Sequence, residues 1–164
     1  MVRAAKNSAR LDLPHDVDAT AIDSTAVDYG DLTRFIGYAL RRAQMRLYED
    51  FFRSVKGSGI SPALFSALLL VERNPGLQQG RLGQALGVAR SGAMTMVDRL
   101  ERLGLVERRP APHDRRAYGL HLTQKGGRAA VNLRQRVAEH DKRISARMDD
   151  AERRRLIELL ERIY

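Results

Sequence analysis

From position 31 onward the apolar residues fall into helical stripes separated by short turn signals. Residues 1–30 instead mix Ala, Asp, Thr and Ser with no sustained period, which predicts a disordered tail ahead of a single domain over 31–164. Asp31 is placed to cap a helix running to about Ser54. In it Leu32, Ile36, Leu40, Ala43, Leu47 and Phe51 share one face, while Tyr38, Met45, Tyr48 and Phe52, with Arg41 among them, form a second stripe roughly opposite. A helix apolar on two sides packs between its own domain and a partner chain, lines a cavity, or is covered on both sides by its own protein. The pattern leaves these open.

Lys56-Gly-Ser-Gly59 reads as a turn, and Ser61-Pro62 as an N-cap followed by proline at the first helical position. That helix carries Leu64, Phe65, Leu68, Leu69 and Val71 and stops at Asn74-Pro75, because the residue before proline disfavours helix. From Gln79 to Arg102 the pattern is helix, turn, helix. Gly87 caps the first helix in the left-handed region, and the small residues Gly83 and Ala93 let the two helices cross closely. An ordinary helical hairpin could share this much. In the second helix Ala93, Met96, Val97 and Leu100 point inward. Arg90, Ser91, Met94, Thr95 and Arg99 face outward, flanked by Asp98 and Arg102, a surface suited to the major groove of DNA.

Gly104 ends that helix. Leu105 to Arg109 reads as a strand, Tyr118 to Leu122 alternates as its partner, and Pro110 and Pro112 stiffen the hairpin exit. The loop between them, Pro112-His113-Asp114-Arg115-Arg116-Ala117, places two arginines at the tip. Thr123 then caps a long helix to about Arg147, with Ala130, Leu133, Val137, Ile144 and Met148 as its stripe. Asp149 and Glu152 form a capping-box start for a last helix whose apolar face is Leu156, Leu159, Leu160 and Ile163. The predicted fold is therefore mainly α with a small β-hairpin wing (α+β). A winged helix-turn-helix spans about 61–122, and terminal helices at about 31–54 and 123–163 carry stripes that could pair with a second copy.

Charge strengthens the nucleic-acid reading. The 164 residues net +9, but Arg3, Lys6 and Arg10 face six aspartates within 1–31, leaving that stretch at −3 and the rest at +12. Residues 73–128 alone carry eleven Arg and Lys against four acids, a basic block that suits a polyanion. There is no cysteine, which excludes thiolate metal sites and thiol redox sensing, and the four histidines show no ligand spacing. No apolar run is long enough to span a bilayer and no signal peptide is visible, so the expected location is cytoplasmic.

The order of elements and the segment VARSGAMTMVDRLERLGLVERRPAPHDRRAYGLHLT, residues 88–123, resemble the MarR family of bacterial regulators over roughly 32–163. The residues that carry the resemblance are Asp98-Arg99-Leu100, Gly104-Leu105-Val106, and Asp114-x-Arg116 followed by Ala117. The resemblance implies that Asp114 orients Arg116 into the minor groove beside the helix in the major groove; Arg115 and Arg109 complete the expected DNA-binding set, Arg115 as a phosphate contact. It implies a homodimer on a pseudo-palindromic double-stranded operator, usually a repressor released by a small, often aromatic, anionic ligand. Tyr38, Arg41, Arg42, Met45, Tyr48 and Phe52, with Phe65 opposite, could wall the ligand site, and Arg41 would meet a carboxylate or phosphate. GYALRRAQMRLYEDFF (residues 37–52) together with residues 74–112 is similar to the branch that responds to hydroxycinnamoyl-CoA thioesters and controls aromatic-acid catabolism. No cofactor or metal is expected beyond such an effector.

The alternative is an architectural protein that binds DNA without a ligand. An enzyme is not expected, since no nucleophile elbow, Walker loop, metal-ligand set or carboxylate pair is present, and Gly80-Arg-Leu-Gly83 is too short for a phosphate loop.

Overall fold

The computed structural model describes residues 27–111 and 114–163. The expected tail lies outside these residues except for its last four positions, as do Pro112 and His113 of the expected hairpin loop. The chain divides into two units, one ending at Arg42 and the other starting at Ala43.

In the first unit the expected cap at Asp31 is replaced by a different start. Gly30–Arg34 forms a 3-10 turn, Phe35 is extended, and helix α1 (Ile36–Ser54) begins after it. The cause is local. The Asp28 carboxylate accepts from the Gly30 N–H at 2.9 Å, and Gly30 takes φ +48°, a left-handed conformation open to glycine. Asp31 then turns to Arg34, 3.5 Å away, instead of capping a helix. Tyr29 and Tyr38 stand with ring centroids 6.2 Å apart, and the Arg42 guanidinium lies 5.9 and 5.7 Å from them. That is cation–π range.

In the second unit α2 (Pro62–Arg73) starts as expected, the Ser61 hydroxyl accepting from the Leu64 N–H, and stops at Asn74. A two-residue strand β1 (Leu77–Gln78) leads into α3 (Gln79–Ala85). After the turn at Gly87 (φ +64°) comes α4 (Arg90–Arg102). The wing is β2 (Val106–Ala111) and β3 (Asp114–Leu122), followed by α5 (Gln124–Ile144) and α6 (Asp150–Glu161). The strands form one antiparallel sheet in the order β1-β3-β2.

Two features of the wing differ from expectation. The hairpin is longer than the five-residue strands predicted: pairing continues through Pro110↔Tyr118 to Ala111↔Asp114, with a register shift between Pro110 and Ala111. Proline is tolerated there because β2 is an edge strand, where a missing N–H leaves no ladder partner wanting. The third strand, β1, has no counterpart in the sequence pattern. It exists because Gly119 lets the chain approach. A Cβ on Gly119 would lie 2.8 Å from the Gly76 Cα, and the Gly76 N–H reaches the Leu120 carbonyl at 2.9 Å.

The core gathers α2, α3, α4, the sheet and α5. Leu68, Leu82, Val97, Leu100 and Leu120 are fully buried, with Phe51 and Val55 joining from the end of α1 and its following turn. The α3–α4 crossing is as close as the small residues implied: a Cβ on Gly83 would stand 3.1 Å from that of Ala93. By contrast Leu156, Ile157 and Leu159 on α6, and Val131 and Ile144 on α5, are exposed in the single chain, as is Ile163, which the sequence places on the last helix but which lies past its end at Glu161. Among the described residues no helix is long and apolar enough to cross a membrane, and no cluster of ligating side chains could hold a metal ion.

Thr123 joins the hairpin and the turn after α4 to α5. Its hydroxyl accepts from the Gly126 N–H at 2.9 Å, capping α5, and donates to the Gly104 carbonyl at 2.7 Å. The first turn of α5 is thereby pressed onto Leu105. A Cβ on Gly126 would lie 1.9 Å from the Leu105 carbonyl oxygen, whereas one on Gly127 would meet nothing within 4 Å. Adjacent glycines should therefore respond oppositely. Gly126→Ala is expected to cost about 3 kcal/mol, and Gly127→Ala to gain about 0.5–1 kcal/mol from helix propensity. Urea unfolding of the two variants checks this; equal midpoints would contradict it.

Candidate nucleic-acid interface

Helix α4 owes its orientation to its buried side. Ala93, Val97 and Leu100 have no exposed surface, so the opposite face is turned to solvent. Arg90, Ser91, Met94, Thr95 and Arg99 are all exposed on it, as the sequence predicted. They are not equivalent. The Thr95 hydroxyl donates to the Ser91 carbonyl at 3.1 Å, so its proton is taken up by the helix backbone. The Arg99 guanidinium lies against the turn before α2, its Nη2 3.4 Å from where a Cβ on Gly59 would stand. On β2, Arg109 is exposed and its Nε donates to the Glu107 carboxylate at 2.9 Å. Asp114, Arg115 and Arg116 fall on β3, and only their backbone is described.

The residue that sequence reasoning missed is Arg108. Its backbone N–H donates to Glu101 at 3.1 Å and its side chain pairs with the same carboxylate. The guanidinium also donates to Asp98 at 2.8 Å and to the Gln79 side-chain oxygen at 2.9 Å. One half-buried side chain on the wing thus holds both acids of α4 and the first residue of α3. The signal was present as the spacing Asp98-x-x-Glu101, which puts two carboxylates on one side of a helix, but nothing in the pattern of β2 distinguished Arg108 from Arg109. Asp98, which the sequence sets at the flank of the outward face, also accepts from the wing.

The C-terminal half of α1 is held to α5 by a second cluster. The Asp50 carboxylate bonds His140 Nδ1 at 2.8 Å and accepts from Arg143 at 3.0 Å, and Arg143 also donates to the Ser54 hydroxyl at 2.6 Å. Arg136 donates to the carbonyls of Ser54 and Lys56 at 2.6 and 3.2 Å, capping the end of α1. His140 is buried, with its ring edge-on to Phe51 at 5.7 Å. The hydrogen bond from His140, followed by the bond and charge of Arg143, holds the Asp50 carboxyl below its ordinary 3.8 against an opposing desolvation.

Of the expected effector residues, Tyr48, Phe52 and Phe65 are linked through Phe51, which the sequence had assigned to the opposite stripe. Ring centroids are 6.3 Å for Tyr48–Phe52, 6.0 Å for Phe51–Phe52 and 6.2 Å for Phe51–Phe65. Met45, like Arg41 in the first unit, is exposed on α1. Two open grooves lie elsewhere: one of about 520 Å³ lined by Leu69, Glu72, Arg73 and Arg134, and one of about 450 Å³ bounded by α3, Val88 and Arg90. Neither is lined by the residues expected to hold a ligand.

The family model described as MarR family matches residues 58–117, from the turn before α2 to the wing. A protein assigned as transcriptional regulator of the hcr operon in Thauera aromatica is 38% identical over 143 residues, covering 87% of this chain and 86% of that protein. The chain belongs to the MarR family. Among solved structures, the transcriptional repressor CouR bound to a 23-mer DNA duplex superposes with a TM-score of 0.79 at 38% identity, over 84% of this chain and 97% of that one. CouR bound to p-coumaroyl-CoA gives 0.76 at 36% identity, over 84% and 96%. As a MarR-family member the protein is a transcriptional regulator, and Arg108 anchors the wing of its winged helix.

Both clusters can be tested by unfolding. Arg108→Ala should lower stability by about 1–2 kcal/mol, since it leaves two carboxylates without their cation, while Arg109→Ala should change it by less than about 0.5 kcal/mol; chemical unfolding separates them. For Asp50 the native pKa is depressed, so its stabilisation is complete above the ordinary carboxylate value and is lost as pH falls through the native one. The stability gap between wild type and Asp50→Asn should therefore narrow on acidification from about pH 5 to about pH 3. A gap that stays constant over that range would contradict the assignment.

Proposed function

We propose that the protein is a homodimeric repressor of genes for aromatic-acid catabolism that binds a pseudo-palindromic operator and is released by a hydroxycinnamoyl-CoA thioester. The observation that carries the reading is the likeness to CouR over 84% of the chain, in a structure with DNA and in one with p-coumaroyl-CoA. The exposed apolar residues of α6 and the end of α5 supply the surface for a second copy. In this reading α4 enters the major groove, and Arg116 enters the adjacent minor groove, where negative potential is concentrated, with Asp114 aiming it. Arg109 and Arg115 contact phosphates. Met45, Tyr48, Phe52 and Phe65 are the residues proposed to face the aryl group.

Release requires that the thioester prefer a geometry in which the two recognition helices no longer match successive major grooves. Converting a population from 99:1 to 1:99 takes about 5.5 kcal/mol of differential binding. Such a ligand therefore needs extensive contacts, which a CoA thioester can offer more readily than a free aromatic acid.

A gel-shift titration on the DNA upstream of its own gene tests this. p-Coumaroyl-CoA should release the protein and free p-coumarate should not. Arg116→Ala should weaken binding about tenfold or more and leave the dimer intact by size-exclusion chromatography. Indifference to the thioester would refute the effector, and equal affinity for random duplex would refute the operator-specific reading.

A further inference from the structure

The outward face of α4 has an unusual centre. Met94 is 50% exposed, a large apolar side chain set one turn after Arg90 and one turn before Asp98. Several of the hydrogen-bonding groups beside it are engaged within the protein, though the Thr95 hydroxyl oxygen keeps its acceptor lone pairs. The Thr95 hydroxyl donates into the helix at the Ser91 carbonyl. The Asp98 carboxylate is occupied by Arg108 at 2.8 Å, and the Arg102 Nε donates to the Asp98 carbonyl at 3.3 Å. Arg99 lies beside Gly59. Arg90 and Ser91 can present polar groups at the start of the helix; the middle presents a thioether.

Resting on the reading of α4 as the helix that enters the major groove, we propose that Met94 determines specificity by packing on the C5 methyl of a thymine. The chemistry of the groove selects that target. Major-groove base edges offer hydrogen-bond donors and acceptors, and the thymine methyl is the apolar group that projects among them. A thioether laid over a carbonyl or amino edge would strip its water and return no hydrogen bond, which is unfavourable. Over a methyl, both partners lose apolar surface to water. Methionine's unbranched, polarizable chain adapts to the methyl's position along the groove without strict geometry. Met94 is thus a discriminator against cytosine and uracil, which pair as well but lack the methyl.

The test uses duplexes enriched from a random pool by the full-length wild-type protein, resynthesised with one thymine at a time replaced by uracil, which removes only the methyl. One thymine per half-site should show a loss of about fourfold, the value of one buried methyl-sized group. Met94→Ala should lose a similar factor on the thymine duplex and be indifferent to uracil at that position. Met94→Leu, which keeps an apolar contact, should retain the discrimination. Placing 5-methylcytosine·guanine at the same position should bind more tightly than cytosine·guanine, for wild type but not for Met94→Ala. A uracil penalty undiminished in Met94→Ala, or no penalised position, would overturn the proposal while leaving DNA reading by α4 intact. Failure of the wild type to enrich any duplex would overturn that underlying reading as well.

Discussion

A winged helix can address two grooves at once only if its wing and its recognition helix keep a fixed relation, and here that relation depends on Arg108. The wing's hairpin touches the rest of the domain along a narrow sheet, and a two-stranded ribbon has little stability of its own. Arg108 supplies what the sheet lacks. Its guanidinium bonds Asp98 and Gln79 and pairs with Glu101, so the strand and both helices of the helix-turn-helix share one charge. Planar and always charged, arginine can serve three acceptors in fixed directions; lysine, a point charge on a flexible stem, could not hold the same three at once. The single guanidinium also offsets part of the negative charge of the two acids on α4.

The same economy appears where the winged helix meets α5. Thr123 closes the turn after α4 and opens the next helix with a single hydroxyl, and Gly126 removes the side chain that would otherwise strike the Leu105 carbonyl. Lys125 adds a cation at the end of α4, its ammonium 2.7 Å from the Leu103 carbonyl. Farther along α5, His140 and Arg143 grip Asp50, and Arg136 caps the end of α1. Helix α5 thus carries polar anchors near both of its ends.

Much of this was legible in the residues. Ser61-Pro62, Thr123 and the Asp149–Glu152 box announced helix starts that the structure places where expected, because caps depend on neighbours in sequence. Gly83 and Ala93, ten residues apart on consecutive helices, announced a close crossing in the same way. What escaped was set by distant partners. Strand β1 exists through the pair Gly76 and Gly119, which lie far apart in the chain. Arg108 differs from Arg109 only in the side of the strand it occupies, and the engagement of Asp98 with the wing could be read only once that side was known. Asp31 failed as a cap because Asp28 and Gly30 organised the chain first. His140 carried no ligand spacing, and its role with Asp50 comes from two helices meeting.

If α4 and the wing are locked together by Arg108, they read adjacent major and minor grooves as one body. Dimethyl sulfate interference on a selected duplex tests this most directly, since the reagent marks guanine N7 in the major groove and adenine N3 in the minor groove in a single experiment. Each half-site should then show both kinds of interference, at neighbouring positions, and Arg108→Ala should weaken the minor-groove signal before the major-groove one. Interference confined to one groove, or an unchanged pattern in Arg108→Ala, would contradict it.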